Sequence, residues 1–255
     1  MSDRIVLTRA DAVLEIRLNR PEKKNALTRS MYDGMAAAFT QVDADPTLHA
    51  ALLTGTGDSF TSGNDIADFQ ARAASDGEAS SSRFLPALTS MRKPLIAAVN
   101  GAAIGAGTTI LMHCDMIVAA RSTRFVMPFT SLGLVPEAAS SLLFPRLLGH
   151  QRASALLLLG EPFDAATAHE WGFVNRVVDD AALMEVARDT ARRIAALPTQ
   201  AVQATKQLMR HGAPDVASRM KEELALFRER LRSPEAAEAF GAFMQRRRPR
   251  DKTVG

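Results

Sequence analysis

The sequence predicts an α/β fold. Strand, turn and helix repeat along much of the chain, which is the signature of that class. Segments 50–54, 95–99 and 116–120 are short apolar runs, as buried strands are. After Asp179 the pattern becomes helical, with breaks at Pro198, Gly212-Ala213-Pro214 and Ser233-Pro234. Those breaks divide three or four amphipathic helices.

In residues 13–18, apolar positions 14, 16 and 18 alternate with charged 15 and 17, which predicts a half-buried strand. Asn19-Arg20-Pro21 ends it. Thr28 is placed to cap a helix through Met31, Met35 and Phe39 to about Val42. The strand at 50–54 stops at Gly55. Residues 75–82 are polar and Ser-rich, which predicts a loop. The strand at 95–99 enters a Gly-rich turn and then a helix over 106–112. Gly160 and Gly172 read as helix C-caps, Asp164 as an N-cap, and 173–178 as a last strand. A boundary near residue 195 divides a core, 1–195, from a helical region, 196–255. Such a region serves either as an oligomer interface or as a cap on its own core.

A chain of 255 residues, 47% apolar, buries enough surface to fold without disulfides or metal. Its 31 Lys and Arg against 28 Asp and Glu give a net charge of +3, too mild for a dedicated nucleic-acid protein. Much of the excess lies in Arg246-Arg247-Arg248-Pro249-Arg250, a solvated tail or a contact for phosphates. The single Cys114 excludes an internal disulfide framework and fits a reducing compartment. Arg exceeds Lys and Ala is abundant, which points to a GC-rich bacterial genome. The first ten residues carry no apolar signal segment, and the last three are not a peroxisomal tripeptide. A cytoplasmic setting is therefore expected. Residues 95–112 are uncharged and long enough to cross a bilayer, but Asn100, three glycines and Thr108-Thr109 interrupt them. They read instead as a buried strand, a turn and a helix, with no membrane partner.

The five histidines are scattered, with no HExxH and no Cys partners, so no metal site is expected. No G-x-S-x-G elbow occurs. Cys114 lies in an apolar stretch and reads as inert. The turn Gly101 to Gly107 resembles a dinucleotide fingerprint, but Ile110 stands where the third glycine belongs. What it retains is small residues that let a ligand approach the backbone, and free N–H groups at a helix start. A second such turn, 57–66, runs from a strand edge into a helix. Backbone donors from two turns can meet at one oxygen and form an oxyanion hole. A third feature is Pro136-Glu137, read as the first turn of a helix. Glu137 is there either a helix-favouring acid or, with its pKa raised by apolar surroundings, an acid/base group.

These turns, taken in order, resemble the enoyl-CoA hydratase/isomerase (crotonase) family. The resemblance covers essentially the whole chain. It is carried by residues 18–27 (LNRPEKKNAL), 59–65 (SFTSGND), 93–101 (KPLIAAVNG), Gly105-Ala106-Gly107, 114–119 (CDMIVA), 171–175 (WGFVN) and Ala242-Phe243-Met244. It implies a spiral of ββα turns followed by a helical trimerisation region, and hence a homotrimer or a dimer of trimers. It implies an acyl-CoA thioester as ligand, with coenzyme A part of the substrate and no separate cofactor. The oxyanion donors map to the N–H groups of Asn64 and Ala106, flanked by Gly63 and Gly105. Alanine replaces the usual glycine at 106. CoA and substrate contacts map to Lys24, Ala26, Ser62, Gly63, Asp65, Ile66, Gly105 and Phe129.

Hydratases of this family have two glutamates that handle water. Thr109 and Phe129 stand at those positions here. Glu137, followed by Ser140-Ser141, is similar instead to the acid of the peroxisomal-type Δ3,Δ2-enoyl-CoA isomerases. Related isomerases of aromatic-acid breakdown carry aspartate at that place. The resemblance therefore implies double-bond migration from C3 to C2 by one carboxylate. Another acyl-CoA reaction, such as ring isomerisation or thioester hydrolysis, and a non-catalytic CoA-binding role are the alternatives.

Overall fold

The computed structural model describes residues 4–68, 81–210 and 215–247. The elements in chain order are β1 (Ile5–Ala10), β2 (Val13–Leu18), α1 (Arg29–Ala44), β3 (Ala50–Gly55), β4 (Ser59–Thr61), α2 (Ser81–Ser90), β5 (Leu95–Val99), β6 (Ala102–Ile104) and α3 (Ala106–Thr109). Then come β7 (Met116–Ala120), β8 (Arg124–Val126), α4 (Ser140–Leu148), α5 (His150–Ser154), β9 (Phe163–Asp164), α6 (Ala165–Glu170) and β10 (Arg176–Val178). Four helices finish the chain: α7 (Leu183–Ala195), α8 (Thr199–Arg210), α9 (Val216–Leu231) and α10 (Pro234–Arg247).

The strands form two sheets, ordered β1-β2-β3-β5-β7-β10 and β4-β6-β8-β9. The pairs β3/β5, β5/β7, β4/β6 and β6/β8 are all parallel. The chain therefore gives one strand to the large sheet, the next to the small sheet, then a helix, and repeats. Each repeat advances one place in both sheets. That is the spiral of ββα turns the resemblance implies.

Both faces of the large sheet are covered, which is why its inner strands are apolar throughout. Ala51, Leu53, Leu95, Ala97 and Val99 face the main core with α1. Ala50, Leu52, Ile96, Ala98 and Val118 face α7 through Leu183, Ala187 and Ala191. This double cover corrects the half-buried reading of β2. Glu15 is only 7% exposed, because Arg188 of α7 closes over it and donates at 2.9 Å. Burial works against its charge, but the bonds from Arg188 and Arg17 outweigh it and hold the carboxyl below its ordinary value.

Several expected stops are met. Gly160 and Gly172 take positive φ at helix ends, and Asp164 accepts the Thr167 N–H at 2.8 Å. Others differ. The last strand is shorter than expected, because the N–H groups of Phe173 and Val174 bond back to Ala168 at the end of α6. The helix from 106 tightens after Thr109 into a 3-10 turn, Ile110–His113. The expected loop over 75–82 and the break at 212–214 lie outside the described residues, save that α2 begins at Ser81. Residues 95–112 form β5, β6 and α3. Among the described residues no helix is long and apolar enough to cross a membrane.

Candidate active site

The segment after β2 ties the site together from below. Arg20 pairs with Asp65 at 2.6 Å and donates to the Ala26 carbonyl at 3.0 Å. Asn25, in a left-handed conformation, sends its amide to the carbonyls of Thr56 and Ser59. Leu27 then forms a parallel bridge with Asn64. In that bridge the N–H of Leu27 bonds Gly63 and the N–H of Asp65 bonds Leu27, so the N–H of Asn64 points away from Leu27. Tyr32 holds the Asn64 side chain at 2.7 Å.

The second turn meets the first backbone to backbone. Gly105 takes φ 56, ψ −116, a conformation open to glycine, and α3 opens at Ala106. As the first helical residue, Ala106 has an N–H with no acceptor inside its helix. Gly63, at φ +82, lies so close to Ile104 that a Cβ there would stand 2.7 Å from the Ile104 oxygen and 3.8 Å from the Ala106 nitrogen. The two predicted donors thus belong to touching turns.

Both turns line one cavity of about 650 Å³. Ala26, Ser62, Gly63, Asn64, Asp65, Ile66, Gly105, Ala106 and Phe129 all belong to its wall. Lys24 does not: its ammonium pairs with Asp58 at 2.5 Å, and Lys23 lines the cavity instead. Asp65 is the only carboxylate among the described lining residues. Burial opposes its charge, yet the bonds from Arg20 and the Asp68 N–H and the Arg20 charge hold it below the usual carboxylate range. It is therefore a weak base. Thr109 is fully buried with its hydroxyl on the Ala106 carbonyl, and Phe129 presents an apolar ring, 4% exposed.

Glu137 requires a correction. It is not in the first turn of a helix, for α4 begins at Ser140. Ala138 and Ala139 intervene with φ 59° and 57°, left-handed values that a right-handed helix cannot hold. Glu137 is half-buried on the loop that gives Leu134 to the cavity wall, and is not itself a wall residue. The anion at the start of α4 is Glu223, from α9. Its carboxylate accepts the N–H groups of Ala139 (2.5 Å) and Ser141 (3.0 Å).

The far side of the cavity is aromatic. Phe227 of α9 and Phe240 and Phe243 of α10 join Phe129, with Met244 beside them. Of these the sequence marks Phe129, Phe243 and Met244 through the resemblance, and not Phe227 or Phe240. Among the described residues no three His, Cys, Asp or Glu side chains gather to hold a metal ion. Burial, with the neighbouring Asp115, pushes the Cys114 thiol well above its ordinary value.

The ββα spiral thus brings the turns that carry Asn64 and Ala106 together on one largely apolar cavity. The chain belongs to the enoyl-CoA hydratase/isomerase (crotonase) family, whose model matches residues 8–252. It is an enzyme of that family, which acts on acyl-CoA thioesters. It is 38% identical over 248 residues to 1,2-epoxyphenylacetyl-CoA isomerase of Escherichia coli K12, covering 93% of this chain and 94% of that protein. Among solved structures it resembles Pseudomonas aeruginosa OdaA (TM-score 0.91, 47% identity, 95% and 99% covered). An enoyl-CoA hydratase/isomerase of Pseudoalteromonas atlantica T6c is equally similar in shape (TM-score 0.91, 41% identity, 97% and 99% covered).

Proposed function

We propose that this enzyme moves the double bond of a 3-enoyl-CoA thioester into conjugation, with Glu137 as its acid/base group. In this reading Glu137 takes a proton from C2. The electron pair spreads over a dienolate whose charge rests on the thioester oxygen, and Glu137 returns the proton to C4. The N–H groups of Asn64 and Ala106 hold that oxygen, each contributing about 3 kcal/mol to the transition state. The observation that carries the reading is the cavity and its surroundings: the two turns and Phe129 line it, the buried Thr109 behind Ala106 offers no carboxylate to activate water, and Glu137 stands on the loop that gives Leu134 to the wall. Lys23, exposed among the lining residues, is a cation suited to the acyl-CoA phosphates, whereas Arg20 is committed to Asp65.

A second reading is favoured by the four phenylalanines of the wall and by the E. coli relative: isomerisation of a ring-bearing acyl-CoA. It uses the same donors and the same acid. One assay separates these readings. Wild type and Glu137→Gln are given 3-enoyl-CoA substrates of short and long chain, with the conjugated 2-enoyl thioester followed by absorbance, and a ring-bearing acyl-CoA, with its isomer followed by chromatography. Conversion by wild type, lowered about 10²–10⁴-fold in kcat by the substitution with CoA binding kept, is the expected result. No conversion of aliphatic substrates at any chain length would overturn the first reading and pass the assignment to the second.

A further inference from the structure

The peptide group joining Ala138 to Ala139 is gripped at both ends. His113 Nε2 lies 2.8 Å from the Ala138 oxygen. Burial, aided by the Arg210 charge, depresses the His113 pKa to about 4 against the pull of that bond, so the ring is neutral. A carbonyl oxygen only accepts, so Nε2 carries the proton. At the other end the Ala139 N–H donates to Glu223 Oε2 at 2.5 Å. The second oxygen of Glu223 takes the Ser141 N–H at 3.0 Å and the Ser141 hydroxyl at 2.5 Å. Glu223 is 5% exposed, and burial raises its pKa against these bonds and the Arg219 charge.

A carboxylate is costly to bury without a purpose served by its partners. What these partners hold is a conformation that alanine disfavours: two successive left-handed residues directly after Glu137. Such backbone persists only where its surroundings over-determine it. Ala138 and Ala139 also pack on Met220, one turn from Glu223 on α9. The chain from 137 to 141 is thus fixed by residues from α9 and from the 3-10 turn before Cys114, not by its own sequence.

We propose that Glu223 is a positioning residue for Glu137: with His113 opposite, its carboxylate locks the 138–139 peptide and so sets the direction in which Glu137 leaves the backbone. The inference rests on the reading of Glu137 as acid/base.

The test compares steady-state kinetics of Glu223→Gln, Glu137→Gln and the double variant Glu223→Gln/Ala139→Gly, using the 3-enoyl-CoA assay normalised to folded enzyme. Glutamine keeps the size and an oxygen for Ser141 but turns an amide N–H toward the Ala139 N–H. Glu223→Gln should lower kcat about 10²-fold, the cost of a misplaced reacting group, with KM unchanged. Ala139→Gly should restore part of that loss, since glycine takes the left-handed conformation unaided. A purely structural Glu223 would change the yield of folded protein and leave kcat per folded enzyme alone. Wild-type kcat in Glu223→Gln, or a loss in which KM rises and Ala139→Gly gives no relief, overturns the proposal. If Glu223→Gln does not fold, Ser141→Ala removes one of the three donors. A smaller kcat loss at unchanged KM then supports the proposal, and wild-type kcat overturns it. An active Glu137→Gln would instead overturn the acid/base reading itself.

Discussion

Gly63 and Ile104 touch through their backbones, at a separation that no side chain fits. A Cβ on Gly63 would lie 2.7 Å from the Ile104 oxygen, and φ there is +82°. The contact sets the spacing of the Asn64 and Ala106 N–H groups, which in the proposed mechanism share one substrate oxygen. Gly63→Ala should therefore move one donor off the shared oxygen. Loss of one such donor costs about 10²–10³ in kcat. The left-handed alanine adds about 1–2 kcal/mol of destabilisation. Kinetics and urea unfolding read the two effects separately. A variant with wild-type kcat would refute the paired-donor geometry.

The Arg20–Asp65 pair is the second device that holds this wall. The side chains are 12% and 15% exposed, so their charges are largely out of water. Removing one partner strands the other, at about 3–5 kcal/mol. Asp65→Asn should destabilise the protein by that order, while Arg20→Met/Asp65→Asn should recover much of it. Because the Asp65 pKa is lowered on folding, its contribution is present above the unfolded value of about 4 and lost as pH falls through the folded one. Equal melting temperatures for the single and double variants would show that the pair carries no such coupling.

The parts of this molecule that follow local rules were legible in its sequence. Apolar runs at 50–54 and 95–99 are strands because both faces are covered. Asp164 caps a helix because it can reach an N–H three residues on. The glycines at 63 and 105 mark the two turns because a Cβ at 63 has no room and the backbone at 105 takes a conformation open to glycine. What failed was non-local. Arg188 covers Glu15 from 173 residues away, so alternation in β2 misread its burial. Pro136-Glu137 has the composition of a helix start, but the residue that caps α4 is Glu223, 84 residues from Ala139. No spacing rule connects them. The aromatic wall likewise joins Phe129 to α9 and α10, which only the folded chain brings together.

The last prediction concerns acid. His113 has a folded pKa of about 4 and an ordinary value near 6.5, so the folded state excludes a proton that the unfolded chain binds. Stability from this group is complete above pH 6.5, falls as pH drops, and is spent below about 4. At 1.36 kcal/mol per unit the loss comes to roughly 3 kcal/mol. Glu223 acts in the opposite sense. Its pKa is raised on folding, so its contribution is greatest in acid and lost as pH rises. The two must therefore be separated by substitution. His113→Gln keeps an N–H donor for the Ala138 oxygen but cannot titrate. Urea midpoints for wild type and variant should diverge at pH 7 and converge toward pH 4.5, the wild type losing more on the way. Parallel pH dependences would mean that His113 is not buried neutral.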